Sequence, residues 1–517
     1  MLPTETSNQP QFACDDENRH FRTDHLNDDL AGRSTRGGGV TAVAQGVKLM
    51  ISTAAMIVVA RLLKPQDYGL IGMVAILVNF IGMFQYLGLS TATIKWSKLN
   101  HPQVSTLFWI NVALSAAVSL VTVASGPLLA WFYQEPRLIL ITIGYAFSLL
   151  LTGLYIQHAA LLIRQMRFVA IAIVEIASMA IGLGAAVIAA WFGAGYWALV
   201  LNQLVMTLVT LVGMWVACGW RPGLPSRGTG VRSMLSYGGN LTGYDLMTFL
   251  SRNLDNALIG RFWGAHQLGI YSRAYQMLLM PLSNLNTPLA TVAVPALSRL
   301  TDSPERYRAA YLKILQKIAM VTMPGIVFMV ATSDWLIVFL LGAQWHDSAR
   351  IFMLLGMTAM IQPVTATCAW LFVTQGRARE KLKWGLMGGT VAISSIVIGL
   401  PWGATGVAAS YGAADLLIST PLLFWWVGRR GPVRAGDIYR TIALPACAAV
   451  CSLLALIICR PWLKLLASPG IRLVLALVIS ATVSFLVLAA LPAGRLALRN
   501  FKEMLLLMVK RPGQSAA

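Results

Sequence analysis

Val169-Ala-Ile-Ala-Ile-Val-Glu175-Ile-Ala-Ser-Met-Ala-Ile-Gly-Leu-Gly-Ala-Ala-Val-Ile-Ala-Ala-Trp191-Phe192 decides the fold class. A helix needs about 20 mostly apolar residues to cross a bilayer, and this run supplies them with a single carboxylate, Glu175. Arg164 and Arg167 precede it, and the short turn Gly193-Ala194-Gly195-Tyr196 follows. The apolar residues are continuous rather than alternating, which predicts a spanning helix and not a barrel strand.

The same reading extends outward along the chain. Fourteen spans are expected, near 39–60, 69–94, 105–132, 138–163, 169–192, 197–219, 237–262, 268–296, 312–341, 350–374, 384–401, 403–427, 440–459 and 471–491. Composition agrees: 57% of the 517 residues are hydrophobic and 12% charged, with a mean hydropathy of +0.67. A soluble domain carries about 25% charged residues. The net charge of +20 would suit nucleic acid if it formed one soluble face, but the basic residues sit in short clusters between apolar runs. Alternating the connections puts 29 Lys and Arg on the side of the first tail and seven on the other, so both termini are expected in the cytoplasm. Residues 1–37 lack the apolar core of a signal peptide and read as a polar, disordered cytoplasmic tail. The six cysteines include no CxxC pair and read as small apolar residues, with no disulfide framework and no metal site.

An internal repeat is visible. Val59-Ala60-Arg61-Leu62-Leu63 with Gly69, and Ile259-Gly260-Arg261-Phe262-Trp263 with Gly269, share one pattern 200 residues apart. Six spans separate the copies, so both run the same way, as in a parallel repeat about an axis along the membrane normal. The expected fold is therefore an all-α membrane protein with two six-helix lobes, 38–220 and 237–428, joined by a cytoplasmic linker at 221–236. Two added helices occupy 429–492, and a basic cytoplasmic tail runs over 493–517.

Ionisable residues inside spans cost at least about 2.5–3.5 kcal/mol each and so mark candidate sites. Lys48 has no acid three or four residues away in its own span. It is expected either to reach the interface or to offer a cation to an anionic substrate. In Asp245-Leu-Met-Thr-Phe-Leu-Ser-Arg252-Asn253-Leu254-Asp255-Asn256, Asp245, Arg252 and Asp255 stand near one face. They form either a packing ion pair or the wall of a cavity. Arg273 and Asn256 join Lys48 and Arg252 as candidate substrate contacts. Glu175, Asp245, Asp255 and Asp415 are the candidate ion-coupling carboxylates, each open to the alternative of a hydrogen-bonded packing acid. No phosphate-binding loop, HExxH or GxSxG motif is present. The outer connections are too short for the large loop a membrane glycan polymerase or ligase would need. No cofactor and no catalytic residue is expected.

Two stretches carry a resemblance. Arg61-Leu-Leu-Lys-Pro65-Gln-Asp67-Tyr68-Gly69 running on to Tyr86-Leu-Gly88-Leu-Ser90, and Arg252-Asn-Leu-Asp255-Asn256-Ala-Leu-Ile259-Gly260-Arg261-Phe with Leu268-Gly269-Ile-Tyr271-Ser272-Arg273-Ala274-Tyr275, resemble the Wzx-type polysaccharide exporters. These belong to the multidrug/oligosaccharidyl-lipid/polysaccharide exporter superfamily, in the colanic acid, succinoglycan and teichuronic acid subgroup. The resemblance implies two lobes around a cationic cavity and an undecaprenyl-pyrophosphate-linked oligosaccharide as substrate. It also implies a place in the inner membrane, beside membrane lipids and the polysaccharide polymerase and chain-length regulator. A drug/cation antiporter of the same superfamily and an uncoupled lipid scramblase are the rival transporters. The first favours an acidic cavity over the cations found here; the second would keep working without an ion gradient.

Overall fold

An apolar chain in hydrocarbon has no water to satisfy its backbone, so each span must bond internally as a helix. The computed structural model describes residues 30–86, 93, 99–226, 232–492, 494–496 and 499, with side chains among them except at 30–37, 232–248, 250–252, 285 and 287. Within these residues the chain is helical, without a strand. The expected tail at 1–29, Lys95, Lys98, most of the basic tail and part of the 221–236 linker lie outside the described residues.

The helices of the first unit are α1 (Leu30–Leu62), α2 (Pro65–Gly82), α3 (His101–Tyr133), α4 (Leu138–Gly153), α5 (Ile156–Arg164), α6 (Phe168–Trp191) and α7 (Trp197–Cys218). A 67-residue helical stretch, α8 (Arg232–Ser298), departs from helical geometry at Gly264, between the expected seventh and eighth spans. There follow α9 (Pro304–Ala331), α10 (Ser333–Leu341), α11 (Ser348–Ala359), α12 (Gln362–Thr374), α13 (Ala378–Gly399), α14 (Gly403–Ala414), α15 (Thr420–Gly428), α16 (Ala435–Lys464) and α17 (Pro469–Ala490).

Ten helical stretches among the described residues are long and apolar enough to cross a membrane, or up to twelve with each of two bent pairs counted as one span. Fourteen were expected. Part of the difference lies in Ala378–Gly428, whose 51 residues count as one stretch but would extend about 77 Å if straight, more than twice a bilayer core. Its ends meet. Arg377 donates to the Val427 carbonyl at 3.1 Å, and Arg430 stands 3.6 Å from the Glu380 carboxylate. Within it, Ser410 Oγ donates to the Ser395 carbonyl at 2.7 Å. The chain turns back at Gly403, φ +72°, so α13 and α14 form a hairpin.

The backbone strengthens the repeat beyond its sequence signature. Left-handed residues occur at Met166 and Gly376, and again at Gly193 and Gly403, each pair 210 residues apart. Met166 lies in Gln165-Met166-Arg167 and Gly376 in Gln375-Gly376-Arg377. The same turn thus joins equivalent helices in both halves.

The chain divides into two units, Met1–His266 and Gln267–Ala517. The division falls just past the Gly264 break rather than in the 221–236 connection, so the first part of α8 groups with the first unit. Close packing accounts for this. A Cβ at Gly69 would sit 1.7 Å from the Ala265 carbonyl oxygen, so only glycine lets α2 meet that backbone. Arg261 also stacks over Phe132 at 5.7 Å, and Phe80 meets Phe249 at 6.4 Å.

Candidate functional site

The packing of α6 determines where Glu175 points. Val174, Ser178, Gly182, Ala186 and Ala190 recur every four residues and are buried. This small-residue row lies against α7: a Cβ on Gly182 would approach the Asn202 side chain to 2.8 Å, and one on Gly213 would approach Val174 to 2.7 Å. Such rows let spanning helices come together in lipid. Glu175 lies on the neighbouring row and faces α1, which packs on α6.

There it meets Lys48. Lys48 Nζ donates to Glu175 Oε2 at 2.6 Å. Lys48 lies ten residues past Gly38, about 15 Å along α1, and Glu175 seven past Phe168, about 10 Å along α6; both stand within their spans. Two candidates expected in different roles are therefore one neutral pair. Their side chains keep 20% and 39% of their exposure, so the pair is open on one side rather than sealed in a core.

The other candidates are distributed. Asp245 and Arg252 lie on α8, with side chains outside those described. Asp255 is buried and accepts the Asn256 backbone N–H at 2.8 Å. The Asn256 side-chain oxygen is buried with no partner among the described residues, a carbonyl held ready for a donor. Arg273 belongs to the second unit and donates to Gln276 at 2.7 Å along its own helix. Asp415 opens a π-helical turn, Asp415–Ser419, between α14 and α15. Such turns widen a helix and often occur at functional positions.

Sequence reading missed a buried amide network in the first unit. Gln85 donates to Ser115 at 2.5 Å and to the Leu149 carbonyl at 2.7 Å. Asn111 donates to Gln157 at 3.2 Å, Gln157 to Thr93 at 3.0 Å, and Arg164 to the Thr93 carbonyl at 3.1 Å. These are uncharged glue between helices, apart from Arg164, one of the 29 basic residues on the side of the first tail, which is buried here. At the opposite ends of the helices, Arg137 grips Glu135 through two hydrogen bonds of 2.7 and 2.8 Å. Arg137 thereby holds the Glu135 carboxyl below its usual range.

Stacked spanning helices, an internal repeat and a charged pair within two of the spans define a multi-pass helical membrane protein. The fold is that of a solved lipid II flippase, MurJ in an inward closed conformation, with a TM-score of 0.66 over 86% of this chain and 97% of that chain at 11% identity. The chain belongs to the polysaccharide biosynthesis protein family, which matches residues 58–350. It is 24% identical to the lipopolysaccharide biosynthesis protein WzxC of Escherichia coli K12 over 74% of this chain and 78% of the relative. The teichuronic acid biosynthesis protein TuaB of Bacillus subtilis is 26% identical over 58% of this chain and 62% of its own length. The succinoglycan biosynthesis transport protein ExoT of Rhizobium meliloti is 23% identical over 65% and 67%.

Proposed function

We propose that this protein flips an undecaprenyl-pyrophosphate-linked oligosaccharide across the inner membrane for polysaccharide biosynthesis, with both termini in the cytoplasm. It does so as a transporter and not an enzyme, by alternating exposure of its binding groups. The observation that carries this reading is the half-open Lys48–Glu175 pair at membrane depth. The names of the relatives, a transport protein for succinoglycan among them, support the substrate class.

The physical task is to move a sugar and two phosphates through about 30 Å of hydrocarbon. Lys48 supplies a cation that the bilayer would otherwise exclude, and Glu175 keeps it neutral while the carrier is empty. An arriving pyrophosphate competes with Glu175 for Lys48. Release of the head group on the far side frees the site, and a cation loaded there on a carboxylate biases the return of the empty carrier. Arg252, Arg273 and Asn256 extend the substrate contacts. Asp245, Asp255 and Asp415 are further cation-loading carboxylates. The polymerase and chain-length regulator receive the flipped unit.

The test is polymer export in cells whose own copy is replaced. Lys48→Ala is expected to cut export at least tenfold per folded molecule in the membrane, and Lys48→Arg to retain part of it. Normal export from Lys48→Ala would remove the role assigned to this lysine. Loss of drug resistance, with polymer export intact, in cells lacking the chain would favour the antiporter reading.

A further inference from the structure

The second unit holds a cavity of about 670 Å³ that the flipping reading does not use. It falls in the size range of small-molecule sites, about 300–1,000 Å³. Faces of α11 and α16 form two of its walls. Along α11 the order is Asp347 just before the helix and Arg350 in its first turn, then Met353 and Met357 one and two turns further in. On α16 it is Arg460 at the connection, then Ile457 and Leu453 deeper. Each wall therefore grades from charged to apolar in the same direction.

The charges differ in their commitments. Arg460 is spoken for: it binds Asp334 at 2.5 Å and the Ala331 carbonyl at 3.1 Å, and it stacks over Trp335 at 5.3 Å. Asp347 and Arg350 make no side-chain hydrogen bond or ion pair with any described residue. Side chains three apart on a helix stand about 5–6 Å apart at Cβ, near the span of a phosphate and its ammonium in an ethanolamine head group. The apolar part is open sideways, with Met357 49% and Ile457 55% exposed. In a spanning bundle that side faces hydrocarbon.

We propose that this cavity binds a zwitterionic phospholipid, its phosphate on Arg350, its ammonium on Asp347 and an acyl chain along Met353, Met357, Leu453 and Ile457. A purely anionic head group fits worse, because Asp347 would repel it and Arg460 is already neutralised. The bound lipid fills the space between α11 and α16 and so ties the C-terminal helix pair to the rest of the second unit.

Native mass spectrometry on the full chain in mild detergent tests this, with phosphatidylethanolamine and phosphatidylglycerol of matched acyl chains. One phosphatidylethanolamine is expected to be retained at least fivefold better than phosphatidylglycerol. Asp347→Ala and Arg350→Ala are each expected to lose that preference, and Met357→Trp to lose retention of both lipids. Lys464→Ala, a cation on α16 that does not line the cavity, should change nothing. Equal retention of the two lipids by the unsubstituted protein, which requires no variant to fold, would overturn the proposal. So would an undiminished preference in folded Arg350→Ala.

Discussion

Lys48 and Glu175 are each conspicuous alone and informative only together. In water an ion pair of this exposure is worth at most about 1 kcal/mol. Between helices in hydrocarbon, deleting one partner strands the other charge, and the cost approaches the 3–5 kcal/mol of a broken buried pair. Glu175→Gln is therefore expected to destabilise the protein by about 2 kcal/mol, and Lys48→Met/Glu175→Gln together by less than the sum of the single changes. Thermal unfolding of the four proteins in one detergent measures this coupling, and additive losses would show that the contact is energetically idle. A lysine or a carboxylate in an apolar run is legible because its cost is local. Its partner was not legible, since the two are 127 residues apart and only the packing of α6 on α1 brings them together. The Glu135–Arg137 pair allows a prediction in pH. The carboxyl is lowered, so its contribution is complete above the usual 4.5 and fades as the pH falls through the lowered folded value. Unfolding of Arg137→Ala is expected to lose that acid-side slope, and an unchanged slope between pH 5 and 3 would exclude the pair as its source.

At the scale of elements, turns and close approaches do more than hydrophobicity, which differs little from one span to the next. The sequence placed breaks between 262 and 268 and between 401 and 403, and the backbone departs from helical geometry there, at Gly264 and Gly403. The Arg61/Arg261 signature pointed to the repeat. The stronger mark, left-handed turns 210 residues apart, was hidden because one copy uses methionine at 166 where the other has Gly376. The amide network of Gln85, Asn111 and Gln157 was equally hidden, since uncharged polar residues do not interrupt an apolar run. Gly69 is the element-level position most exposed to test. A methyl group there would overlap the Ala265 backbone, and a backbone cannot rotate aside as a side chain can. Gly69→Ala is expected to cost about 2–3 kcal/mol and to lower the yield of folded protein in the membrane. Gly184→Ala, also helical but with open space around its Cβ position, is expected to be neutral. Equal melting of both variants with the unsubstituted protein would mean that α2 and the Gly264 break do not touch.

For the whole molecule, the question with the largest consequence is which side each connection faces. The excess of 29 basic residues over seven assigns the sides only if every crossing is counted correctly, because a hairpin counted as one crossing reverses every later connection. Ala378–Gly428 is where the count is most sensitive. Read as one crossing it would place Arg379 and Arg430 on opposite faces; read as a hairpin it places them on one. The contacts of Arg377 with Val427 and of Glu380 with Arg430 join its ends, which requires the second arrangement. Single cysteines introduced into a cysteine-free background, probed with a membrane-impermeant maleimide on intact cells, follow each position separately. Trp402→Cys and Ser468→Cys are expected to react from outside. Arg379→Cys and Arg430→Cys should react only after the cells are opened. Opposite behaviour of Arg379→Cys and Arg430→Cys would make the stretch a single crossing and overturn the hairpin. Reaction of both from outside would invert the protein in the membrane and place the carrier's empty and loaded states on the wrong faces for export.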